Sequence, residues 1–156
     1  MFKIKYNVIN IAKYILSNYQ KRNDSYINTQ ILQKLLYYLK AKCLIDIEAP
    51  FLIEGTVQKS KSGPIFPELY YDIFEFEKES GTNIESRIDD KSKDYIDGFV
   101  IQMRGYDWFD LYKMTREEKI WKDFQSKINE GVSNLKYSDE EIKTYFTKNN
   151  VFLPWK

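Results

Sequence analysis

The run Ile31-Leu32-Gln33-Lys34-Leu35-Leu36-Tyr37-Tyr38 does most to limit what this chain can fold into. Apolar residues at 31, 32, 35, 36, 39 and 43 recur at helical spacing, so one long stripe must be covered by other elements. Asn28 stands where an N-cap belongs. Ile27 before it is placed to fold back on Leu32 as a hydrophobic staple. The run is therefore read as the central core helix. Its single cysteine, Cys43, falls on the stripe and reads as a buried thiol.

The rest of the chain supplies the cover. Val8, Ile9, Ile11, Ala12, Ile15, Leu16 and Tyr19 form a first helical face that ends near 20–23, where Lys21 and Arg22 suit a helix C-terminus. Ala49-Pro50 breaks the pattern. Phe51, Ile53, Gly55 and Val57 then alternate with Leu52, Glu54, Thr56 and Gln58, the period of a strand with one buried face. Lys59-Ser60-Lys61-Ser62 reads as polar and exposed, and Gly63-Pro64 as a corner. Pro67 suits the first turn of a helix carrying Leu69, Tyr70, Ile73 and Phe74.

Alternation at Ile84, Ser86 and Ile88 suggests a return strand against 52–58. From Ser92 the pattern is helical through Tyr95, Ile96, Phe99, Val100 and Met103, and Gly105 ends it. Trp108, Leu111 and Tyr112 give a short helix. Thr115 to Glu118 and Ser138 to Glu141 read as capping boxes for helices bearing Ile120, Trp121, Phe124 and Ile128, and Ile142, Tyr145 and Phe146. The apolar tail 151–155 is expected to dock. The expected fold is mainly α with minor β: one compact multi-helix domain over 1–156, with a small two-stranded antiparallel β element.

Composition removes whole classes of chemistry. The chain has no histidine, one cysteine, and neither a Walker nor a dinucleotide glycine motif. Histidine-based triads, histidine acid–base catalysis and Cys/His zinc sites are excluded. No signal-peptide core or membrane-length apolar run is present, so a cytoplasmic protein with no cofactor is expected. The net charge is +1 but uneven: residues 1–71 carry 10 basic and 5 acidic side chains, and residues 72–97 carry 4 and 9. The aromatic content of 17% is shared between a compositional bias toward Lys, Ile, Asn and Tyr and the building of the core, and any surplus of tyrosine at the surface suits a binding face.

The order of these signals is similar to one family. Leu32-Gln33-Lys34-Leu35-Leu36-Tyr37, an extended segment, Gly63-Pro64-Ile65-Phe66-Pro67-Glu68-Leu69-Tyr70, then Leu111 to Thr115 with Trp121, then Ser138 to Phe146, resemble the Panacea (SocA-like, phage-associated GepA-type) antitoxin domain over roughly residues 8–146. Three positions depart from the family pattern. The Ala-Trp pair before the Gly-Pro corner is replaced within Gln58 to Ser62, the His after Thr is Arg116, and the Pro before Trp121 is Ile120.

The resemblance implies a non-enzymatic protein that binds and neutralises a cognate toxin and is carried by prophages or mobile elements. It also implies a possible second partner, because one well-known member presents its toxin to a AAA+ protease. The residues offered for partner binding are Gln33, Lys34, Tyr37, Lys59, Lys61, Gly63, Pro64 and Tyr70. For the Gly-Pro corner a purely structural turn is the simpler reading. Gln33 or Lys34 serves either the corner backbone or a partner, and Tyr70 and Trp121 also read as core. Two rivals stay open: a DNA-binding regulator of its own operon, from the basic first half, and a carboxylate-dependent enzyme on the acidic 72–97 segment.

Overall fold

A computed structural model describes residues 3–23, 28–69, 87–150 and 153–156, with backbone only for 19–23. Among the described residues the chain runs β1 (Ile4–Asn7), α1 (Val8–Asn23), α2 (Thr29–Ile45), β2 (Phe51–Glu54), β3 (Val57–Ser60), β4 (Gly63–Ile65), α3 (Asp90–Met103), α4 (Trp108–Glu117), α5 (Lys119–Lys122), α6 (Gln125–Asn129), β5 (Lys136–Tyr137) and α7 (Asp139–Lys148). It is mainly helical with minor β structure. No described helix is long and apolar enough to cross a membrane.

α2 is the hub. Asn28 caps it, its Oδ1 accepting from the Ile31 amide at 2.8 Å. α1, α3, α4, α7, β2 and β4 all pack on it. The stripe predicted from sequence is correct but too narrow. Leu32 through Ala41 are all buried, and Cys43 with them. Burial pushes the Cys43 thiol up to about 12, the state of an inert core sulfur. A helix enclosed on every side also buries its polar residues, so Gln33, Lys34 and Lys40 lie inside the protein.

The β structure differs from the expected single antiparallel pair. β1 and β2 form a parallel pair in the register Ile4↔Phe51 to Asn7↔Glu54. β4, β3 and β5 form a separate antiparallel sheet in that order. The predicted strand over 51–58 is broken at Gly55-Thr56, and its two halves join different sheets. Gly55 has little room at the break: a Cβ there would lie 2.8 Å from both Val8 Cγ1 and Glu68 Oε1. The partners of β3 are 63–65 and 136–137 rather than 84–88. Residues 84–86 lie outside the described residues, as do the staple at Ile27, Tyr70, Ile73, Phe74, Val151 and Phe152. The described end of the tail does dock, with Pro154 and Trp155 buried.

Two helix starts also differ. Thr115 is not a cap. It lies inside α4, and its hydroxyl donates to the Leu111 and Tyr112 carbonyls, both at 3.1 Å. The capping box belongs to Asp107 and Asp110 at the front of α4. Ser138 does cap α7, accepting from the Glu141 amide at 3.0 Å, but the Glu141 side chain turns to Lys59 instead of closing the box.

Candidate functional site

The β3–β4 hairpin turns at Lys61-Ser62, pairing Lys59 with Pro64 and Ser60 with Gly63. Pro64 costs no ladder bond, because β4 is an edge strand. Gly63 has φ +98°, and a Cβ there would lie 2.8 Å from Thr115 Oγ1. The glycine is thus required both by backbone conformation and by the close approach of α4. Ser60 Oγ locks the turn, donating to the Gly63 carbonyl at 2.7 Å and accepting from the Ser62 amide at 3.2 Å.

Gln33 fixes the chain just beyond. Its Oε1 accepts from the Phe66 amide at 2.6 Å, and its Nε2 donates to the Phe66 carbonyl at 3.3 Å. The buried amide thereby substitutes for a neighbouring strand. Of the two roles open to Gln33 in the sequence, the structure gives it the corner backbone.

Lys34 lies under the corner, its Cε 3.8 Å from where a Gly63 Cβ would be. It is fully buried, and among the described residues its Nζ has no hydrogen-bond partner. The Tyr112 ring centroid is 6.0 Å from that nitrogen. Burial alone pulls the amine down to about 8.

Lys59 is not on an exposed loop as the sequence suggested. It is 3% exposed and pairs with Glu141 at 3.0 Å. Its ammonium lies 3.5 Å from the Phe124 ring centroid and 5.1 Å from that of Tyr137. A four-carbon stem can carry a charge under the sheet to a partner, and the polar look of the KSKS stretch hides this. In that stretch only Lys61, at the hairpin tip, is exposed.

Tyr37 faces a second cluster. Its hydroxyl donates to Glu118 Oε1 at 2.7 Å, and that of Tyr38 donates to Glu118 Oε2 at 2.6 Å. Burial pushes the Glu118 carboxyl up to about 8, against the pull of these two hydrogen bonds. The Tyr37 ring also packs against Tyr137 at 5.1 Å and Phe146 at 5.9 Å. Lys40 completes the buried polar set. It donates to the Ile53 carbonyl at 2.7 Å and pairs with Asp139 at 3.0 Å, at the wall of an open polar cleft of about 480 Å³.

The corner thus brings together Lys34, Gly63 and Pro64, with Gln33 holding Phe66 just beyond it and Lys61 at the tip. Tyr37 and Lys59 belong to the interior, and Tyr70 lies outside the described residues. Sequence reading missed Glu118, Lys40 and the outer face of α4. On that face Trp108 is 39% exposed and Phe109 53%. A signal for Phe109 existed, since neighbouring residues on a helix point about 100° apart and a stripe through 108, 111 and 112 leaves 109 outside; Trp108 belonged to that stripe, and its exposure carried no such signal.

Arg116, which departs from the family pattern, lies with its guanidinium carbon 4.6 Å from the Trp121 ring centroid and hydrogen-bonds the Tyr112 hydroxyl. The Trp121 indole N–H reaches the Ser60 carbonyl at 2.8 Å. α4, α5 and the hairpin are therefore one connected surface.

A glycine–proline corner clamped onto an enclosed core helix, with aromatic side chains left outside it, defines a small helical domain organised by its internal polar contacts. Residues 32–122 match the family model of the antitoxin SocA-like, Panacea domain, and the chain belongs to that family. The match begins on the core helix, spans the corner and ends at α5, inside the 8–146 expected from the motifs. No curated protein and no solved structure matches the chain.

Proposed function

We propose that this protein is an antitoxin that neutralises a cognate toxin by binding it directly, with no chemistry of its own. Membership of the antitoxin family carries this reading. The use of its polar groups supports it: Gln33, Lys40, Lys59 and Glu118 are each committed to internal partners, an arrangement that fixes a scaffold. A cytoplasmic place and a prophage or mobile-element origin go with the same reading.

Co-expression with the product of the neighbouring open reading frame tests it. The expected result is that the neighbour alone stops growth, that this protein restores growth, and that the two co-purify. A harmless neighbour that does not co-purify refutes it. The same cells separate the finer variants. An adaptor role predicts that toxin levels fall only while a AAA+ protease is present. Operon autoregulation predicts that the purified protein shifts its operator duplex with steep salt dependence.

A further inference from the structure

We propose that the cavity between the C-terminal ends of α4 and α7 binds an elongated organic cation, an ammonium or guanidinium group on an apolar stem. The site goes beyond the antitoxin reading, and its test does not depend on that reading.

The cavity holds about 330 Å³ and opens where α4 ends at Glu117 and α7 ends at Lys148. Ligand sites start at about 300 Å³, so there is room for one group the size of a side chain. Met114 and Pro154 give apolar walls, and Tyr38, Tyr145 and Phe146 give aromatic ones. The Phe146 ring lies T-shaped to both tyrosines, 5.1 Å from Tyr145 and 6.0 Å from Tyr38, with the planes at 83° in each pair. Rings so arranged attract a cation that slides between them.

The polar groups at the cavity are mostly acceptors. Glu118 lines it, and each of its carboxyl oxygens takes one hydrogen bond from a tyrosine and keeps a second lone pair. Glu117 adds an exposed carboxylate. Asn149 donates its side-chain N–H to the Tyr145 carbonyl at 2.7 Å, and its Oδ1 receives no hydrogen bond from any described residue. Both helices bring their partially negative C-terminal ends here. No lysine or arginine is among the described lining residues, and Lys119, which follows Glu118, pairs with Asp123 at 3.0 Å instead. A donor-rich cation is the partner this cavity lacks. A metal ion suits it less, because among the described residues no three Asp, Glu or Cys side chains gather to hold one.

Burial keeps the Glu118 carboxyl protonated near neutral pH. An entering cation supplies the opposite charge: its N–H groups bond the carboxylate, and the carboxyl proton leaves to solvent. The tyrosines around that carboxyl stay neutral throughout, because burial pushes up Tyr37 and Tyr38 on α2, Tyr137 on β5 and Tyr145 on α7. The charged neighbours are Glu117 and, beside Tyr137, Glu141 with its partner Lys59.

The test is an NMR titration of the purified protein that follows the Asn149 side-chain amide and the Lys119 backbone amide. The probes are N-acetyl-arginine methylamide, its neutral citrulline counterpart, and the free diamine putrescine. The arginine compound is expected to shift both signals with an affinity of about 1 mM, and the citrulline compound to shift neither. Raising the pH from about 6 to about 8 should tighten the arginine compound about tenfold or more, since the guanidinium does not titrate and less proton remains to be displaced. Glu118→Gln should weaken it about tenfold at the upper pH and flatten the profile. The wild-type profile decides the matter even if that variant does not fold.

Tighter binding of the arginine compound than of putrescine upholds the site and assigns it to a side chain of a protein partner. The reverse order upholds it and assigns it to a free amine. Equal shifts from the arginine and citrulline compounds, an affinity independent of pH, or no shift from any probe at about 20 mM overturns the proposal.

Discussion

Replacing Glu118 by Gln should change how stability depends on pH more than it changes the fold. The carboxyl is buried between the Tyr37 and Tyr38 hydroxyls, and burial raises it from 4.5 to about 8. Between those values the folded protein keeps a proton that the unfolded chain has released. Unfolding therefore releases a proton, and stability falls as pH rises through this window. Below the window the loss is absent, and above it the loss is complete. A gap of about 3.5 units, each worth about 1.4 kcal/mol, amounts to about 5 kcal/mol, a large part of the 5–15 kcal/mol typical of a domain.

Gln is isosteric with the protonated acid and does not titrate; like that acid it accepts from one tyrosine hydroxyl and donates to the other, whose hydroxyl turns to accept. The assay is urea unfolding followed by tryptophan fluorescence, run on both proteins from about pH 5 to about pH 8. Wild type should lose stability across the range, and Glu118→Gln should not lose this share. The window is unusually clean, because the chain contains no histidine. Lys34, lowered to about 8, acts with the opposite sign and outside it: stability regained from its deprotonation appears only as pH rises from about 8 toward 10.5. Parallel wild-type and Glu118→Gln curves would refute the assignment of a neutral buried acid.

Four further substitutions probe the corner and its clamps. Gly63→Ala should cost about 2 kcal/mol or more, from the positive φ and the 2.8 Å approach to Thr115 Oγ1, read as a lower urea midpoint. Thr115→Ala in the same chain should recover part of that loss but not the backbone share. Gln33→Ala strips two bonds from the buried Phe66 backbone and should cost about 2 to 4 kcal/mol, with faster amide exchange at Phe66. Lys59→Met keeps the stem but leaves Glu141 without its ion pair. Because the Glu141 side chain is 34% exposed and can rehydrate, the loss should be about 1 to 2 kcal/mol, below that of a fully buried pair, as measured by denaturant midpoint.

The long helices were legible because their stripes and caps are local. α1 begins at Val8, Asn28 caps α2, and Ser138 caps α7, as their spacing and residue types indicated. β1 was not legible, since four residues before a helix carry too little alternation to show. Its strand state comes from pairing with β2, far along the chain. Thr115 misled because Thr-x-x-Glu is the same string whether the threonine caps a helix or back-bonds within one. The fit against Gly63 decides, and it is a tertiary fact. The corner itself was visible in Gly63-Pro64. The burial of Lys34, Lys40 and Lys59 was hidden, because a lysine in a sequence looks the same whether its stem crosses a core or extends into water.

The buried lysines and the exposed aromatics have complementary consequences. α2 is tied to the corner through Gln33, to the α4–α5 junction through Tyr37, Tyr38 and Glu118, and to β2 and α7 through Lys40. Apart from the Lys40–Asp139 pair, whose carboxylate is 63% exposed, each tie is directional and buried, so changing one side leaves a polar group stranded at a cost of about 1 to 3 kcal/mol. The core is consequently hard to alter piecemeal. Trp108, Phe109, Lys61 and Lys113 carry no such ties, and substitutions there should fall within about 0.5 kcal/mol of wild-type stability. A domain built this way can exchange its outer α4 face while the scaffold stays fixed.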